Sequence, residues 1–315
     1  MSERQLISIV CAAWNEKENI VECCDEVRRV MGTLPEYDFE LIVCDNDSTD
    51  GTLELLREIA ARDKRVKVIA NSRNFGAARS AFNGLVATRG DAVIFAISAD
   101  LQDPPSLIPE FVNKWKEGYQ VVYGIRTHRE ESFFLTGMRK VYYRLIQRVA
   151  DFNVPVDVGD FQLLDKKVVD ALRRFEDYYP YTRGLIAQTG FKSVGVNYTQ
   201  VARKRGTAKG KFFLLLDMGL NGLISFTNLP MRICMLAGAI LSCLGFIFIL
   251  LQFFMLLLPS THGLPLGIST LIAALFFLSG LQLFFLGLLG EYVSATHFQV
   301  RKRPLVIERE RINFE

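Results

Sequence analysis

Residues 92–105, AVIFAISADLQDPP, join a six-residue apolar run to an acidic cluster that two prolines close. A short apolar run bounded by turn residues is typical of a buried strand. Asp100, Gln102 and Asp103 then lie just beyond the carboxyl end of that strand. Carboxylate and amide oxygens at this position are well placed to hold a hard cation and the diphosphate bound to it. The cluster therefore suggests nucleotide-sugar chemistry.

Apolar runs alternate with helical patterns through the part of the chain before residue 205. Strand candidates lie at 6–13, 39–44, 66–70, 92–97 and 120–123, and helix candidates lie at 18–31, 52–61 and 77–87. This alternation predicts a doubly wound α/β fold with a mostly parallel sheet, whose ligands bind at the carboxyl ends of the strands. Polar motifs follow three of these strands, at Trp14-Asn15-Glu16, at residues 45–51 and at residues 100–103.

Several other classes of protein are disfavoured. No Gly-x-Gly-x-x-Gly follows the first strand candidate and no Gly-x-x-x-x-Gly-Lys occurs, which argues against a dinucleotide-binding Rossmann domain and a P-loop NTPase. A net charge of +3 without a basic stripe argues against nucleic acid as a partner. The six cysteines have no zinc-type spacing, so we expect buried thiols in a reducing compartment. The first residues lack a secretory signal.

Two apolar stretches near the carboxyl end, at residues 233–258 and 268–289, contain no Lys, Arg, Asp or Glu. Each exceeds the roughly 20 residues that a helix needs to cross a bilayer. The connecting loop has no Lys or Arg, whereas Arg232 precedes the first stretch and Arg301-Lys302-Arg303 follows the second. The positive-inside rule then predicts a multi-pass membrane protein with both termini in the cytoplasm. The alternative is a pair of buried helices in a soluble core.

The segment before these stretches, residues 211–230, mixes large apolar side chains with Asp217, Asn221 and Asn228. It is too polar to span a bilayer and too apolar to be fully solvated, which favours an interfacial amphipathic helix. A helix packed on the preceding domain is the alternative. We therefore expect a cytoplasmic α/β domain at 1–210, an interfacial region at 211–230, two transmembrane helices within 231–290, and a basic cytoplasmic tail at 291–315.

Taken in order, the motifs of this chain resemble those of GT-A fold, family 2 glycosyltransferases. Within that family they are most similar to the membrane-anchored polyprenyl-phosphate branch, which includes dolichol-phosphate-mannose-synthase-like and bacterial undecaprenyl-phosphate enzymes. The resemblance covers nearly the whole chain. It rests on Trp14-Asn15-Glu16 and on residues 45–52, 72–76, 99–105, 123–126 and 157–161. Taken alone, residues 45–51 are equally compatible with a capped turn that opens the next helix.

The resemblance implies roles for individual side chains. Asp100 and Gln102 match the family's metal and diphosphate site, with Mg2+ or Mn2+ as cofactor. Asp157 matches the carboxylate near the attacking oxygen, where it acts as a base or positions a substrate. The residues that match donor-binding positions are Trp14, Glu16, Asp45, Asp47 and Arg126. The basic residues that are candidates for binding the acceptor phosphate are Arg139, Arg203, Arg205 and Lys209.

The implied reaction is the inverting transfer of a sugar from a nucleotide-sugar donor, expected to be UDP-linked, to a polyprenyl phosphate. The expected acceptor is undecaprenyl phosphate, at the cytoplasmic face of a bacterial inner membrane. A homo-oligomer, such as the tetramer that some relatives form, is implied by the resemblance alone. Membrane anchoring has a chemical reason here, because the acceptor's tail stays in the bilayer and tethering raises the effective concentration of enzyme near it.

The chain departs from the family pattern at several positions, two of which lie in the acidic motifs of the expected site. Asn46 stands where a second Asp is usual, and Ser98 replaces the first Asp of the Asp-x-Asp motif. The loss of a carboxylate at Ser98 weakens the expected metal site. Two alternatives to a polyprenyl-phosphate glycosyltransferase stay open. One is a membrane scaffold that has lost its activity, and the other is a processive polysaccharide synthase, although the Gln-x-x-Arg-Trp signature of that group is absent.

Overall fold

The computed structural model describes residues 4–126, 158–175, 177, 180–201 and 268–314, together with residues 231, 234–241, 243, 247, 250 and 254. Some side chains within 268–300 are not described. The chain divides into two compact units. One unit comprises Met1–Gly219 and Lys302–Glu315, and the other comprises Leu220–Arg301.

Strands and helices alternate through the first unit. The strands are β1 (Gln5–Ala13), β2 (Tyr37–Asp45), β3 (Val66–Asn71), β4 (Ala92–Ser98), β5 (Val121–Arg126), β6 (Val158–Asp165), β7 (Ser193–Tyr198) and β8 (Glu308–Ile312). The helices are α1 (Ile20–Met31), α2 (Thr52–Arg62), α3 (Ala77–Val86), α4 (Ile108–Lys116), α5 (Lys166–Leu172) and α6 (Thr182–Gln188), and the second unit contributes α7 (Ile268–Val300).

The described strands form one mixed sheet in the order β7-β5-β6-β4-β1-β2-β3-β8. Strands β4, β1, β2 and β3 pair in parallel, and β6 runs antiparallel between β4 and β5. The predicted α/β sheet is therefore confirmed. Because β1, β2 and β4 are parallel, their last residues, Ala13, Asp45 and Ser98, lie at the same edge of the sheet, where ligands bind in such folds.

The parallel strands are apolar because helices cover both faces of the sheet. In β1, Ile7, Ile9, Val10 and Cys11 have no exposed surface, which is typical of strands buried on both faces. Helix α1 is amphipathic, and the residues that it buries follow helical spacing. They are Ile20, Cys23, Cys24, Val27, Val30 and Met31. The cysteines are free thiols, and burial raises the pKa of Cys24 and of Cys44 to about 12.

A β-bulge in β4 lies just before the acidic cluster. Ile94 pairs with Ile9 and Ile97 pairs with Cys11, so β4 has one more residue than β1 over this interval. Ala96, within the bulge, has a φ of 57°, a left-handed value that costs a residue other than glycine about 1–2 kcal/mol. Bulges bend a strand and redirect the residues beyond them. This bulge directs the chain into the acidic cluster.

A strand from the carboxyl terminus, β8, covers the edge of the sheet at β3. The two strands are antiparallel, with Val68 opposite Ile312. Beyond β3, the backbone N–H of Ser72 donates to the carbonyl of Ile307 at 2.8 Å. An uncovered edge would present unpaired backbone groups to other chains. The predicted basic tail thus includes a strand of the sheet, which no pattern in the sequence predicts.

Side chains fix β8 to the helices beside it. Arg57 of α2 pairs with Glu310 at 2.7 Å. Asn83 Nδ2 of α3 donates to Glu308 Oε1 at 2.7 Å. The end of the chain is therefore integrated into the first unit by polar contacts as well as by backbone pairing.

The second unit contains α7, a helix of 33 residues. Among the residues whose backbone and side chains the structure both describes, no helix is long and apolar enough to cross a membrane. The predicted interfacial region at 211–230 lies outside the described residues. The stretch at 233–258 is described at residues 234–241, 243, 247, 250 and 254, all of which are helical.

Candidate active site

Two loops at the carboxyl edge of the sheet, after β1 and after β2, are cross-linked. The backbone N–H of Asn15 donates to Ser48 Oγ at 2.9 Å, and the backbone N–H of Thr49 donates to Asn15 Oδ1 at 2.8 Å. The backbone N–H of Glu16 donates to Thr52 Oγ1 at 3.0 Å. Asn15 has a φ of 53°, a left-handed value in which asparagine is enriched. The two loops thus form one connected wall of the site.

Asp45, the last residue of β2, is fully buried. Its Oδ2 accepts a hydrogen bond from the backbone N–H of Ser48 at 3.2 Å. Its Oδ1 is buried and has no hydrogen-bond partner among the described residues. Burial raises the pKa of Asp45, although hydrogen bonds from Ser48 and the charge of Arg309 oppose the rise. Leaving such an acceptor unsatisfied costs about 1–3 kcal/mol, so Asp45 is suited to a ligand that donates a hydrogen bond.

Three asparagines connect the residue after β2 to the loop after β3. Asn46 Oδ1 accepts from Asn71 Nδ2 and from the backbone N–H of Phe75, each at 3.0 Å. Asn46 Nδ2 donates to Asn74 Oδ1 at 2.9 Å, and the same oxygen accepts from the backbone N–H of Gly76 at 2.9 Å. Asn46 therefore both donates and accepts, which an ionised aspartate cannot do. This network gives a physical reason for asparagine at position 46.

The other predicted donor-binding residues after β1 and β2 differ in their surroundings. Trp14 is 40% exposed. Glu16 Oε2 accepts from Asn19 Nδ2 at 2.7 Å, at the start of α1. Asp47 has a φ of 63° and its Oδ1 lies 3.7 Å from Arg309 Nη1, which β8 supplies. A residue from the carboxyl terminus therefore contacts a predicted donor-binding residue.

The acidic cluster after β4 is a compact turn. The backbone N–H groups of Leu101 and Asp103 donate to the carbonyl and to Oγ of Ser98, at 3.0 and 3.1 Å. The backbone N–H of Gln102 donates to Asp100 Oδ1 at 3.2 Å. Ser98 Oγ also donates to Asp103 Oδ2 at 3.2 Å. Residues 98–103, called the acidic turn below, are therefore held by Ser98, at the position where the resemblance implies an aspartate.

Arg126, Asp103 and Tyr198 form a cluster beside the acidic turn. The Tyr198 hydroxyl donates to Asp103 Oδ1 and accepts from Arg126 Nε at 2.9 Å. Arg126 Nη2 donates to both carboxylate oxygens of Asp103, at 3.1 and 3.2 Å. Burial lowers the pKa of Arg126, but the charge of Asp103 and the hydrogen bond with Tyr198 have the larger effect, so the pKa is raised. Burial is the main cause that raises the pKa of Tyr198, which keeps the phenol neutral.

The residues of the acidic turn that are predicted to hold a metal ion are Asp100 and Gln102. Within the described part of the chain, no group of three or more His, Cys, Asp or Glu side chains could hold a metal. A carboxylate and an amide oxygen are nevertheless ligand types that Mg2+ and Mn2+ accept. Mg2+ usually keeps several waters and binds through one or two carboxylates together with the phosphates of a substrate.

Several predicted site residues lie outside the described residues. They are Arg139, Asp157, Arg203, Arg205 and Lys209. Their roles remain predictions from the sequence.

Comparison with known proteins identifies the family of this chain. The model of glycosyl transferase family 2 matches residues 8–173, more than half of the 315 residues. The chain is a member of glycosyltransferase family 2. A second model, the GtrB C-terminal hairpin, matches residues 229–296. The resemblance stated from the motifs is therefore confirmed, and the chain is a glycosyltransferase.

Relatives match this family 2 chain along nearly its whole length. The uncharacterized glycosyltransferase YkcC of Bacillus subtilis (strain 168) is 36% identical over 316 residues, covering 100% of this chain and 97% of its own. The prophage bactoprenol glucosyl transferase homolog of Escherichia coli (strain K12) is 30% identical over 305 residues, covering 96% of this chain and 97% of its own. Among solved structures, glucosyl-3-phosphoglycerate synthase of Mycobacterium tuberculosis is 23% identical with a TM-score of 0.47, covering 69% of this chain and 77% of its own.

Two residues of the cluster beside the acidic turn of this family 2 member have contacts that the sequence does not predict. Asp103 lies in the acidic cluster that predicts a cation and diphosphate site, but its contacts with Arg126 and Tyr198 have no signal there, and Tyr198 lies in no motif. One signal points to Tyr198 in retrospect. A Cβ at Gly124 would lie 2.6 Å from the Tyr198 ring, so the glycine in the motif at 123–126 leaves space for an aromatic side chain.

Proposed function

We propose that this glycosyltransferase transfers a sugar from a nucleotide-sugar, UDP-linked, to a polyprenyl phosphate at the cytoplasmic face of the membrane, with inversion at the anomeric carbon. The observation that carries the proposal is the similarity to a bactoprenol glucosyl transferase homolog over 96% of this chain. That similarity extends past the family 2 domain and through the apolar hairpin segment. An acceptor whose tail lies in the membrane accounts for such an apolar segment, whereas a soluble acceptor does not.

The donor's nucleotide is proposed to bind at the wall formed by the loops after β1 and β2. Asp45 supports this, because its buried Oδ1 can accept an N–H of the base. Glu16 and Asp47 lie on the same wall, where carboxylates are good acceptors for ribose hydroxyls. Trp14 is exposed enough to stack on the donor.

The diphosphate is proposed to bind at the acidic turn. Asp100 and Gln102 would hold Mg2+ or Mn2+ there, and the bound cation would neutralise charge on the departing nucleoside diphosphate. Arg126 lies beside the turn through its contacts with Asp103. A guanidinium in this place can donate hydrogen bonds to phosphate oxygens.

In the proposed reaction, a phosphate oxygen of the lipid forms a bond to the anomeric carbon while the bond from that carbon to the diphosphate breaks. The products are a polyprenyl-phospho-sugar and a nucleoside diphosphate. A phosphate monoester has a second pKa of about 6 and is largely dianionic at neutral pH, so deprotonation by a strong base is not required. Asp157 is proposed to act as a base or to position the acceptor.

The apolar stretches at 233–258 and 268–289 are proposed to anchor the enzyme in the membrane with both termini in the cytoplasm, preceded by an interfacial segment at 211–230. Their lack of charged residues supports this. Helix α7, with 33 residues, would be about 50 Å long at 1.5 Å per residue. The basic residues proposed to meet the lipid phosphate near the membrane surface are Arg139, Arg203 and Lys209. A homo-oligomer is part of the proposal.

The proposal is tested by supplying membranes that contain the protein with undecaprenyl phosphate, MnCl2 and a panel of radiolabelled UDP- and GDP-sugars. We expect one donor to label a chloroform-extractable, mild-acid-labile lipid, and we expect EDTA to prevent the labelling. If folded protein labels no lipid from any donor, the proposed reaction is wrong and a scaffold role is favoured.

A further inference from the structure

The ring of Tyr198 occupies a space that Gly124 leaves open, and its hydroxyl lies beside Gly159. A Cβ at Gly124 would lie 2.6 Å from the ring, and a Cβ at Gly159 would lie 3.4 Å from the hydroxyl. Phe161 packs edge-on against the ring, with centroids 6.3 Å apart and planes at 72°. Tyr198 is 5% exposed. Backbone on one side and an aromatic ring on the other therefore fix its orientation.

The hydroxyl of Tyr198 bridges two opposite charges. It donates to Asp103 and accepts from Arg126 Nε, so it uses both functions of a neutral phenol. Because Asp103 binds Arg126 Nη2 at the same time, two nitrogens of the guanidinium are held. Two fixed nitrogens define both the position and the plane of this rigid group. A phenylalanine would fill the same space but would leave Nε without this acceptor.

The segment after β7 contacts the acidic turn at a second point. The backbone N–H of Val201 donates to the carbonyl of Gln102 at 3.1 Å. Tyr198 and Val201 therefore attach this segment to two consecutive residues of the turn. Both lie outside residues 8–173 and 229–296, which the family models match.

We propose that Tyr198 is a positioning residue for sugar transfer, which orients Arg126 toward the diphosphate of the donor. The inference rests on the proposed function of the acidic turn as the diphosphate site. Tyr198 touches neither donor nor acceptor in this role and acts through the guanidinium. Its loss should weaken contacts to the diphosphate while leaving contacts to the base intact.

The test compares UDP with uridine, because the two ligands differ by the diphosphate alone. Binding of each to the full-length protein in detergent with MnCl2 is measured by calorimetry, and kcat is measured in the transfer assay. For Tyr198→Phe we expect the Kd of UDP to rise about tenfold, a typical loss for one charge-assisted hydrogen bond. The Kd of uridine should stay unchanged, and kcat should fall by about tenfold or more.

Tyr37→Phe is the matched control. Tyr37 is also buried, but it lies at the amino end of β2, whereas the site lies at the carboxyl ends of the parallel strands. This variant should bind UDP and uridine as the wild type does. If Tyr198→Phe binds UDP normally, or loses UDP and uridine equally, the inference is wrong.

Two further variants keep the test decisive. Asp103→Asn combined with Tyr198→Phe should weaken UDP binding little more than either change alone, because both act through Arg126; fully additive losses would contradict the inference. If Tyr198→Phe does not fold, Gly124→Ala provides the second route, since the added methyl displaces the ring while keeping every polar group. It should reduce UDP binding selectively, and normal UDP binding would contradict the inference.

The outcomes for the wild type separate this inference from the proposed function. Wild-type protein that binds UDP but transfers no sugar to polyprenyl phosphate would contradict the proposed acceptor. The difference in UDP binding between the wild type and Tyr198→Phe would still decide the inference in that case. Wild-type protein that binds neither UDP nor GDP would contradict both.

Discussion

The side-chain amide of Asn46 donates a hydrogen bond to Asn74 Oδ1 at 2.9 Å and so joins the end of β2 to the loop after β3. The neighbouring residue is Asp45, whose buried oxygen is proposed to meet the donor's base. The asparagine network therefore holds the backbone next to a proposed ligand contact. Changes in this network should affect both stability and donor binding.

Asn46→Asp should destabilise the protein by about 1–3 kcal/mol, because the new carboxylate faces Asn74 Oδ1 with no proton to donate. A flip of the Asn74 amide would restore that contact but remove the acceptor of the Gly76 N–H. Urea unfolding measures the effect on stability, and calorimetry with UDP measures the effect on donor binding. Asn113→Asp on the exposed face of α4 is the control. Equal unfolding midpoints for the two variants would contradict the prediction.

Asp45→Asn should abolish UDP binding while leaving the thermal midpoint at neutral pH unchanged or higher. Burial raises the pKa of Asp45 above 3.8, so the folded protein holds this proton to higher pH than the unfolded chain does. This difference in pKa stabilises the folded protein fully below pH 3.8, and the stabilisation is lost as the pH rises through the pKa of Asp45 in the folded protein. At neutral pH the buried charge therefore costs stability, and asparagine removes that cost.

The same pKa shift predicts how UDP binding depends on pH. As the pH falls through the raised pKa of Asp45, the carboxylate is protonated and loses charge as an acceptor, so affinity for UDP should decrease. Calorimetry across a pH series measures this. Wild-type affinity for UDP in Asp45→Asn at neutral pH, where the wild-type carboxylate is ionised, would show that Asp45 does not bind the donor.

Asn313→Ala should destabilise the first unit by about 2–3 kcal/mol, because two partly buried hydrogen bonds and an exposed one from Lys64 are lost and alanine is strained at this position. Asn313 Nδ2 donates to the carbonyls of Ala60 and Val66, each at 2.8 Å, and its φ is 64°. Asn313→Gly also removes the hydrogen bonds, but glycine tolerates a positive φ. This variant should therefore be destabilised by about 1 kcal/mol less than Asn313→Ala. If neither variant changes urea unfolding, the carboxyl-terminal strand does not stabilise this unit.

Local patterns in the sequence predict the parallel core of the sheet. Strands such as β1 and β4 are continuous apolar runs, and the acidic turn follows directly from the end of β4. The strand β8 reads Glu-Arg-Glu-Arg-Ile and carries no such signal, because an edge strand with charged side chains resembles a solvated tail. Its pairing with β3 depends on contacts between residues far apart in the chain.

The candidate site is predictable to the same extent. Asp45 and Asp100 stand out because each follows a strand that the sequence shows. Tyr198 does not, because its partners Arg126 and Asp103 are 72 and 95 residues away in the sequence. A role that depends on three separate segments becomes visible in the folded chain.

The most direct test of the proposed function compares sugar transfer to undecaprenyl phosphate by the wild type and by Asp100→Asn, with MnCl2 and the donor that the panel identifies. Asparagine at position 100 keeps an acceptor for the Gln102 N–H, so the turn should fold. The control is Asp25→Asn, on the exposed face of α1. We predict that Asp100→Asn loses at least about 100-fold in kcat, a typical loss when charge stabilisation of a transition state is removed, while Asp25→Asn does not. Transfer by Asp100→Asn at the wild-type rate would contradict the assignment of the acidic turn as the metal and diphosphate site.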